Sequence, residues 1–293
     1  MEKPSSSGPN CLLCGSKSLY WFVSENSGVG PNSSFKVFKC SICRSTRITP
    51  TPENLDLYYS NYHSLPTGKS WVRSQKGCKN RIRLIKSNIQ KSEIILDIGA
   101  GSGAFVSASI DSGFQTQAIE IDVRCREHIK KNLGIEVSRD LYEYSKKNLP
   151  APKVVTLWHV FEHIPNPIEF LEQVFLHFGS DIKIFLEVPN ADSWQFRLFR
   201  SNWPHLDVPR HLFIPSEKGI QILAGKFKMS AKSVRNGDKA SWSAFGIVNL
   251  GKRRGASLVE IRVRRILQIL LTPMFALERR EISATCTYVL TKE

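Results

Sequence analysis

No apolar run in the 293 residues approaches the ~18 residues that a membrane-crossing helix needs, so no transmembrane segment is expected. The opening stretch MEKPSSSGPN has no apolar core of the kind a secretory signal requires, so the expected location is cytoplasmic. Cysteine is sparse and odd in number, seven in all, which argues against a secreted disulfide framework. Acidic residues are also short, 26 against 41 Lys and Arg, leaving a formal charge of +15. That charge is uneven: residues 1–90 carry +9, residues 91–190 carry −4 and residues 191–293 carry +10. An acidic middle between basic ends points to a polyanion or an anionic surface as partner, or to solubility alone. What remains, 41% hydrophobic and 23% charged, is the balance of a soluble globular chain long enough for one large domain plus a small module.

Four of the cysteines form two C-x-x-C pairs, Cys11/Cys14 and Cys40/Cys43, 25 residues apart. Four thiolates suit tetrahedral zinc, and with every ligand position filled by sulfur the site is structural, with no open position for catalysis. Between the pairs, LYWFVS and FKVFKC read as short strands joined by the turn-rich ENSGVGPNSS. An iron–sulfur centre or a redox pair would not explain that hairpin. Residues 1–50 are therefore expected to be a zinc ribbon, and residues 51–90 a linker with an amphipathic helix. In the linker, PENLDLYYSNY is a candidate short helix capped by Thr51, and KNRIRLIKSNI places Ile82, Leu84, Ile85 and Ile89 on one helical face.

The segment SEIILDIGAGSGAFVSASIDSG combines a buried strand, a loop with Gly99, Gly101 and Gly103, and a helix over 104–112 ending near Gly113. QTQAIEI follows as a second strand and ends in Glu120, 19 positions beyond Gly101. This is a nucleotide-type strand, glycine loop, helix and strand, and it also fits the dinucleotide fingerprint. Asp97, two residues before the first glycine, shifts the balance. A carboxylate there would repel a pyrophosphate, whereas S-adenosylmethionine has no phosphate and carries a cationic amino group and a sulfonium.

ILDIGAGSGAF, AIEID and LWHVFEHIPNP together resemble the motifs of class I S-adenosylmethionine-dependent methyltransferases. EVPNADSWQFRLFRSNWPHLDVPRHLFIPS is similar to a subgroup that carries an N-terminal zinc ribbon, many members of which are linked to glycan, O-antigen or deoxysugar biosynthesis. The resemblance covers nearly the whole chain and implies an α/β fold over residues 91–293. Its core would be a doubly wound, mostly parallel, seven-stranded Rossmann-like sheet, with strands near 93–97, 115–120, 135–138, 153–158, 182–187, 228–235 and 283–291. It also implies that Asp97, Gly99, Ala100 and Gly101 hold the methionine moiety, that Glu120 takes the ribose and Ile121 the adenine, and that Asp140 and Leu141 lie at the adenine amino group. Trp158 would stand beside the sulfonium. One departure is Pro152-Lys153, where relatives often have Phe-Asp, a position that serves folding more than chemistry.

Methyl transfer is an in-line displacement, so the enzyme mainly aligns the acceptor and excludes water; a base helps when the acceptor is a hydroxyl or an acidic C–H. His211, in HLDVPRHLF, is the favoured base or acceptor-orienting residue, with His159 and His163 of WHVFEHIPNP as further catalytic candidates and Arg210 and His205 as lesser ones. Glu162 and His163 are otherwise expected to serve in capping and loop hydrogen bonding, and Asn166 to cap PIEFLEQVFLHF. Trp194, Phe196, Phe199 and Trp203 read equally as core or substrate wall; Arg197, Arg200 and Arg210 read as anion grips or solvated side chains.

GKRRGASLVEIRVRRILQILLTPMFALERR sets basic clusters around an apolar face, which suits contact with an anionic membrane surface, a buried helix or a dimer contact. The expectation is a methyltransferase acting on a small-molecule or glycan acceptor, lipid- or nucleotide-linked forms included, in the cytoplasm or peripherally at the inner membrane surface. The alternatives are an RNA-binding or RNA-modifying enzyme that uses Tyr20, Trp21, Phe22, Lys36 and Lys39 of the ribbon, and a silent scaffold. The oligomeric state is left open.

Overall fold

Alternating burial shapes the N-terminal strands in the computed structural model, which describes residues 8–25, 34–59, 65–234 and 283–292. β1 (Ser18–Glu25) and β2 (Ser34–Cys40) pair antiparallel, each turning one side inward. β3 (Thr46–Thr49) pairs with β2, and the hairpin is flanked by the two cysteine turns, as the spacing predicts. The sheet does not stop there. β8 (Phe213–Ile214), from far along the chain, pairs with β3 and completes a four-stranded sheet of order β1-β2-β3-β8. Phe22, Phe35, Val37, Ile48 and Tyr58 then pack against Phe196, Phe199, Trp203, Leu206 and Val208 in one apolar cluster. The aromatic residues after the fifth expected strand are thus largely core, with Trp203 stacked on Phe196 at 4.5 Å between ring centres. Trp194 lies at the start of a short helix, 6.3 Å from Phe199.

Among the described residues of the stretch expected as a helix after Thr51 there is a 3-10 turn, Leu55–Tyr58, and its last three residues, 60–62, lie outside the described residues; the prolines at 50 and 52 keep the chain extended up to the turn. α1 (Gly68–Gly77) and α2 (Lys79–Lys86) follow. Ile82 and Ile85 face inward from α2 while Lys79, Arg83 and Lys86 stay in water, an amphipathic helix set on the next layer.

The main sheet has the order β5-β4-β6-β7-β10-β9, with β4 (Ile95–Ile98), β5 (Thr116–Ile119), β6 (Val154–Trp158) and β7 (Lys183–Pro189) parallel. β10 (Thr285–Lys292) runs antiparallel between β7 and β9 (Met229–Val234). Every residue of β4 and β6 is buried, as expected for strands covered by helices on both faces. α3 (Ala104–Asp111), α4 (Val123–Leu133), α5 (Leu141–Ser145), α6 (Pro167–Phe178) and α8 (Glu217–Lys226) fill the crossovers and flanks, with α7 (Trp194–Phe199) after β7. Among the described residues this is six strands where seven are expected. The segment around 135–138 contributes one isolated parallel bridge, Ser138 to Ile119, at the sheet edge where the seventh strand belongs. Asn166 precedes α6 without a side-chain cap; its Nδ2 donates instead to Glu169 at 3.2 Å. The basic, apolar run at 251–280 lies outside the described residues.

Candidate active site

The carboxyl ends of β4, β5, β6 and β7 build the site. After β4 the chain turns through Gly99, Gly101 and Gly103, at φ +74°, +55° and +82°. A Cβ on Gly99 would stand 2.4 Å from Val160 Cγ2, and one on Gly103 2.6 Å from Ile129 Cγ1. Neither position admits a side chain, by torsion or by space. Val160 follows β6, so the glycine loop is pressed against the segment that carries His159 and Glu162.

Asp97 is 2% exposed, and its Oδ1 accepts from Thr156 Oγ1 of β6 at 2.6 Å. Burial pushes its carboxyl up to about 7, against the lowering effect of the Thr156 hydrogen bond and the Arg81 charge. Glu120, at the end of β5, closes the other side of the loop: Oε2 accepts from Gly101 N at 2.6 Å and Oε1 from Asp122 N at 2.9 Å. Each oxygen keeps a lone pair for a hydroxyl donor. Ile121 beside it is 72% exposed, an apolar surface turned outward. Asp140 caps α5 by accepting from Glu143 N at 2.8 Å, with half-buried Leu141 next to it and half-buried Ala100 in the loop. A side-chain-free cradle flanked by one deeply buried carboxylate and one hydrogen-bonded carboxylate fits a ligand that is cationic at one end and carries vicinal hydroxyls further along.

Trp158 ends β6 with its side chain buried. It is 8% exposed, 5.1 Å from Phe105, with the Arg81 guanidinium 5.0 Å from its ring centre. The two-residue period of β6 puts Val154, Thr156 and Trp158 on the side covered by α2 and α3, the side on which Thr156 meets Asp97.

His159 takes up a left-handed backbone, φ +58°, and starts the turn out of β6. Its Nδ1 lies 3.2 Å from Glu162 Oε1 and its Nε2 3.0 Å from Glu187 Oε1. Glu187, on β7, is held in a fork by Arg81 of α2, Nη2 to Oε1 at 2.5 Å and Nε to Oε2 at 3.1 Å. Burial disfavours charge on His159, but its bonds to Glu162 and Glu187 outweigh that and push the imidazole up to about 10. Burial raises Glu162, and the His159 hydrogen bond and His211 charge more than reverse it, bringing the carboxyl down to about 2. Glu187 is likewise held far below the usual carboxylate range, against burial, by Arg81 and His159.

On the far side of Glu162 stands the loop 203–212. His211 is 6% exposed, its Nε2 3.7 Å from Glu162 Oε1 and its Nδ1 2.8 Å from the carbonyl oxygen of His205. His163 sits 4.6 Å from His211 between ring centres, and its Nδ1 is 2.9 Å from the carbonyl oxygen of Arg210. Burial, then the His211 charge, lower His163 to about 4; burial, then the His159 and His211 charges, lower His205 to about 3. Leu212 N donates to Glu162 O at 2.9 Å and locks the two segments together.

The three histidines singled out in the sequence thus meet around Glu162, which capping alone would not place at their centre. Arg210 is turned inward: it is paired with Asp207 and donates to Tyr58 O at 3.3 Å, which leaves it poorly placed as an anion grip. Arg197 and Arg200 are exposed. Sequence reading missed Thr156, Arg81 and Glu187. A lone Thr in VVTLW and a lone Glu in KIFLEVP, polar breaks in buried strands, were the available signals for two of them.

At the other end of the loop's anchor, Cys11 and Cys43 Sγ are 3.6 Å apart and Cys14 and Cys40 Sγ 3.4 Å apart, all four within 4.8 Å of one another. Four sulfurs about 2.3 Å from one zinc ion would be about 3.8 Å apart, so the cluster has the right size. Ile42 and Cys43 N–H both point at Cys40 Sγ at 3.4 Å, as thiolates in metal turns require.

A family model described as a methyltransferase domain matches residues 72–227, more than half of the chain. No curated protein matches it. Solved structures similar to it include a SAM-dependent methyltransferase from Archaeoglobus fulgidus (18% identity, 75% of this chain and 94% of that one, TM-score 0.47). Coclaurine N-methyltransferase bound to N-methylheliamine and SAH is another (17% identity, 80% and 75%, TM-score 0.42). A third is mycolic acid cyclopropane synthase complexed with SAH and CTAB (14% identity, 74% and 84%, TM-score 0.48). The matched residues span the glycine loop, both carboxylates and the histidine cluster, and the chain belongs to the methyltransferase-domain family as an S-adenosylmethionine-dependent methyltransferase.

Proposed function

We propose that this enzyme methylates a sugar or glycan intermediate, at a hydroxyl or an acidic C–H, on the face formed by His159, Glu162, His163 and His211. The observation that carries this reading is the buried imidazole–carboxylate cluster beside the glycine loop, joined to it by the contact of Gly99 with Val160. Asp97 would take the cationic amino end of S-adenosylmethionine, Glu120 the ribose hydroxyls, Ile121 the adenine face, and Asp140 with Leu141 the adenine edge. The cofactor supplies a methyl carbon already activated by its sulfonium. The chain's residues align the acceptor, exclude water and manage the acceptor proton. His211 serves as base or orienting residue: its Nδ1 donates to a carbonyl, which leaves Nε2 as the nitrogen that faces the acceptor. His159, held as an imidazolium between two carboxylates, positions Glu162 and is no base.

A structural zinc ion on Cys11, Cys14, Cys40 and Cys43 belongs to the same reading, bracing the acceptor loop through β3 and β8. Two ribbon aromatics are engaged internally, Trp21 with Phe196 at 4.9 Å and Phe22 with Phe196 at 6.1 Å, which weighs against a base-stacking face for RNA. Incubation with labelled S-adenosylmethionine and cell fractions tests the acceptor. Label is expected in glycan, saccharide-lipid or nucleotide-sugar material; label in RNA would reverse the assignment.

A further inference from the structure

His163 and His211 share one arrangement twice over, which a single general base does not call for. His163 Nδ1 lies 2.9 Å from the carbonyl oxygen of Arg210, and His211 Nδ1 lies 2.8 Å from that of His205. A carbonyl only accepts, so both Nδ1 atoms donate, and each Nε2 is the ring nitrogen left to face a ligand. A main-chain oxygen behind an imidazole is the support by which proteins fix a histidine as a metal ligand. Tyr59 Oη, 2.7 Å from His163 Nδ1, adds to that support.

Glu162 lies between them and is fully buried. Its Oε1 is taken by His159 at 3.2 Å, and its Oε2 has no hydrogen-bond partner among the described residues. A buried carboxylate oxygen with nothing bound to it is costly, and a cation is the strongest remedy. One ligand atom each from Glu162, His163 and His211 lies within 4.8 Å of the others, close enough for one ion to reach all three.

We infer that Glu162, His163 and His211 bind a divalent transition cation at the acceptor end of the crevice. Two imidazoles and one carboxylate suit manganese, iron, cobalt or zinc better than magnesium or calcium. Three protein ligands leave coordination positions for an acceptor oxygen, and His163, only half-buried, leaves the site approachable. Around it Arg81 pairs with Glu187 and Arg210 with Asp207, while His159 bridges Glu187 and Glu162 Oε1, so Glu162 Oε2 is the anionic oxygen left for an ion. The inference deepens the proposed function and rests on reading this face as the acceptor side; His211 then orients the acceptor through the ion instead of acting as a free base.

The test uses the full chain, loaded with one equivalent of zinc so that only the tighter four-sulfur site is filled, and titrated with Mn2+ followed by electron paramagnetic resonance. The expected result is one bound Mn2+ per chain, with pulsed spectra showing coupling to two imidazole nitrogens. Glu162→Gln should weaken Mn2+ at least tenfold. Should that variant unfold, the nitrogen couplings of the wild-type protein still decide. No Mn2+ bound above background, or bound Mn2+ without histidine nitrogen, overturns the site. The measurement needs neither donor nor acceptor: label appearing in RNA while Mn2+ binds as described would sink the glycan assignment and leave the cation site standing.

Discussion

At the scale of single residues, two charges control the site. Asp97 is neutral in the free protein below pH about 7, because burial raises its carboxyl, and a cationic ligand needs the anion. Binding of S-adenosylmethionine must therefore release a proton at low pH. Affinity should tighten by up to about tenfold per unit as pH rises towards 7, then level off. Calorimetry from pH 5.5 to 8.5 should show this slope in the wild type and its loss, with weaker binding throughout, in Asp97→Asn. His159 works in the opposite sense. Its folded value, about 10, lies above the ordinary 6.5, so its stabilisation is complete below pH 6.5 and fades as pH rises through 10. Melting temperatures should fall between pH 7 and 10 in the wild type and fall less in His159→Gln; parallel curves would contradict the assignment. Neither behaviour was legible in the sequence. WHVFEHIPNP shows three titratable side chains, but the partner that fixes His159 is Glu187, 28 residues later, and Glu187 is in turn held by Arg81, 106 residues earlier.

At the scale of elements, strands and helices follow local pattern closely. The apolar runs around Leu96, Leu157 and Leu186 become β4, β6 and β7, and the inward stripe of Ile82 and Ile85 becomes the buried face of α2. Weak local signals went otherwise. The stretch near Ser138 is too short to make more than one bridge, and Trp158 turned inward because its place in β6 is set by register with β4 and β7. The junction of α8 with the ribbon is set by Ser216. Its Oγ caps α8 by accepting from Gly219 N at 2.9 Å and donates to Cys43 O, and its N–H donates to Ser45 Oγ at 3.0 Å. Ser216→Ala removes a helix cap and unpairs a buried carbonyl. The expected cost is about 1–2 kcal/mol, read as a lowered urea midpoint with unchanged slope.

At the scale of the whole molecule, the ribbon and the catalytic layer are joined through β3 and β8, a pairing between residues over 160 positions apart that no local pattern announces. That strand starts two residues after His211, so under the proposed reading the cysteine cluster braces the acceptor loop. Replacing Cys11 and Cys14 together by serine, which leaves the acceptor-face histidines in place, should therefore abolish methyl transfer while leaving S-adenosylmethionine affinity within about threefold, because the donor site rests on β4, β5 and their contact with β6. Equal loss of both would mean that the cluster supports the entire fold. No helix among the described residues is long and apolar enough to cross a membrane. The central claim is that the ends of β4 and β5 form the methyl donor site. Calorimetric titration of S-adenosylmethionine into the wild type, Asp97→Ala and Glu120→Ala tests it most directly. One site per chain is expected, weakened at least tenfold in either variant with the melting transition still cooperative; unchanged affinity in both variants would contradict it.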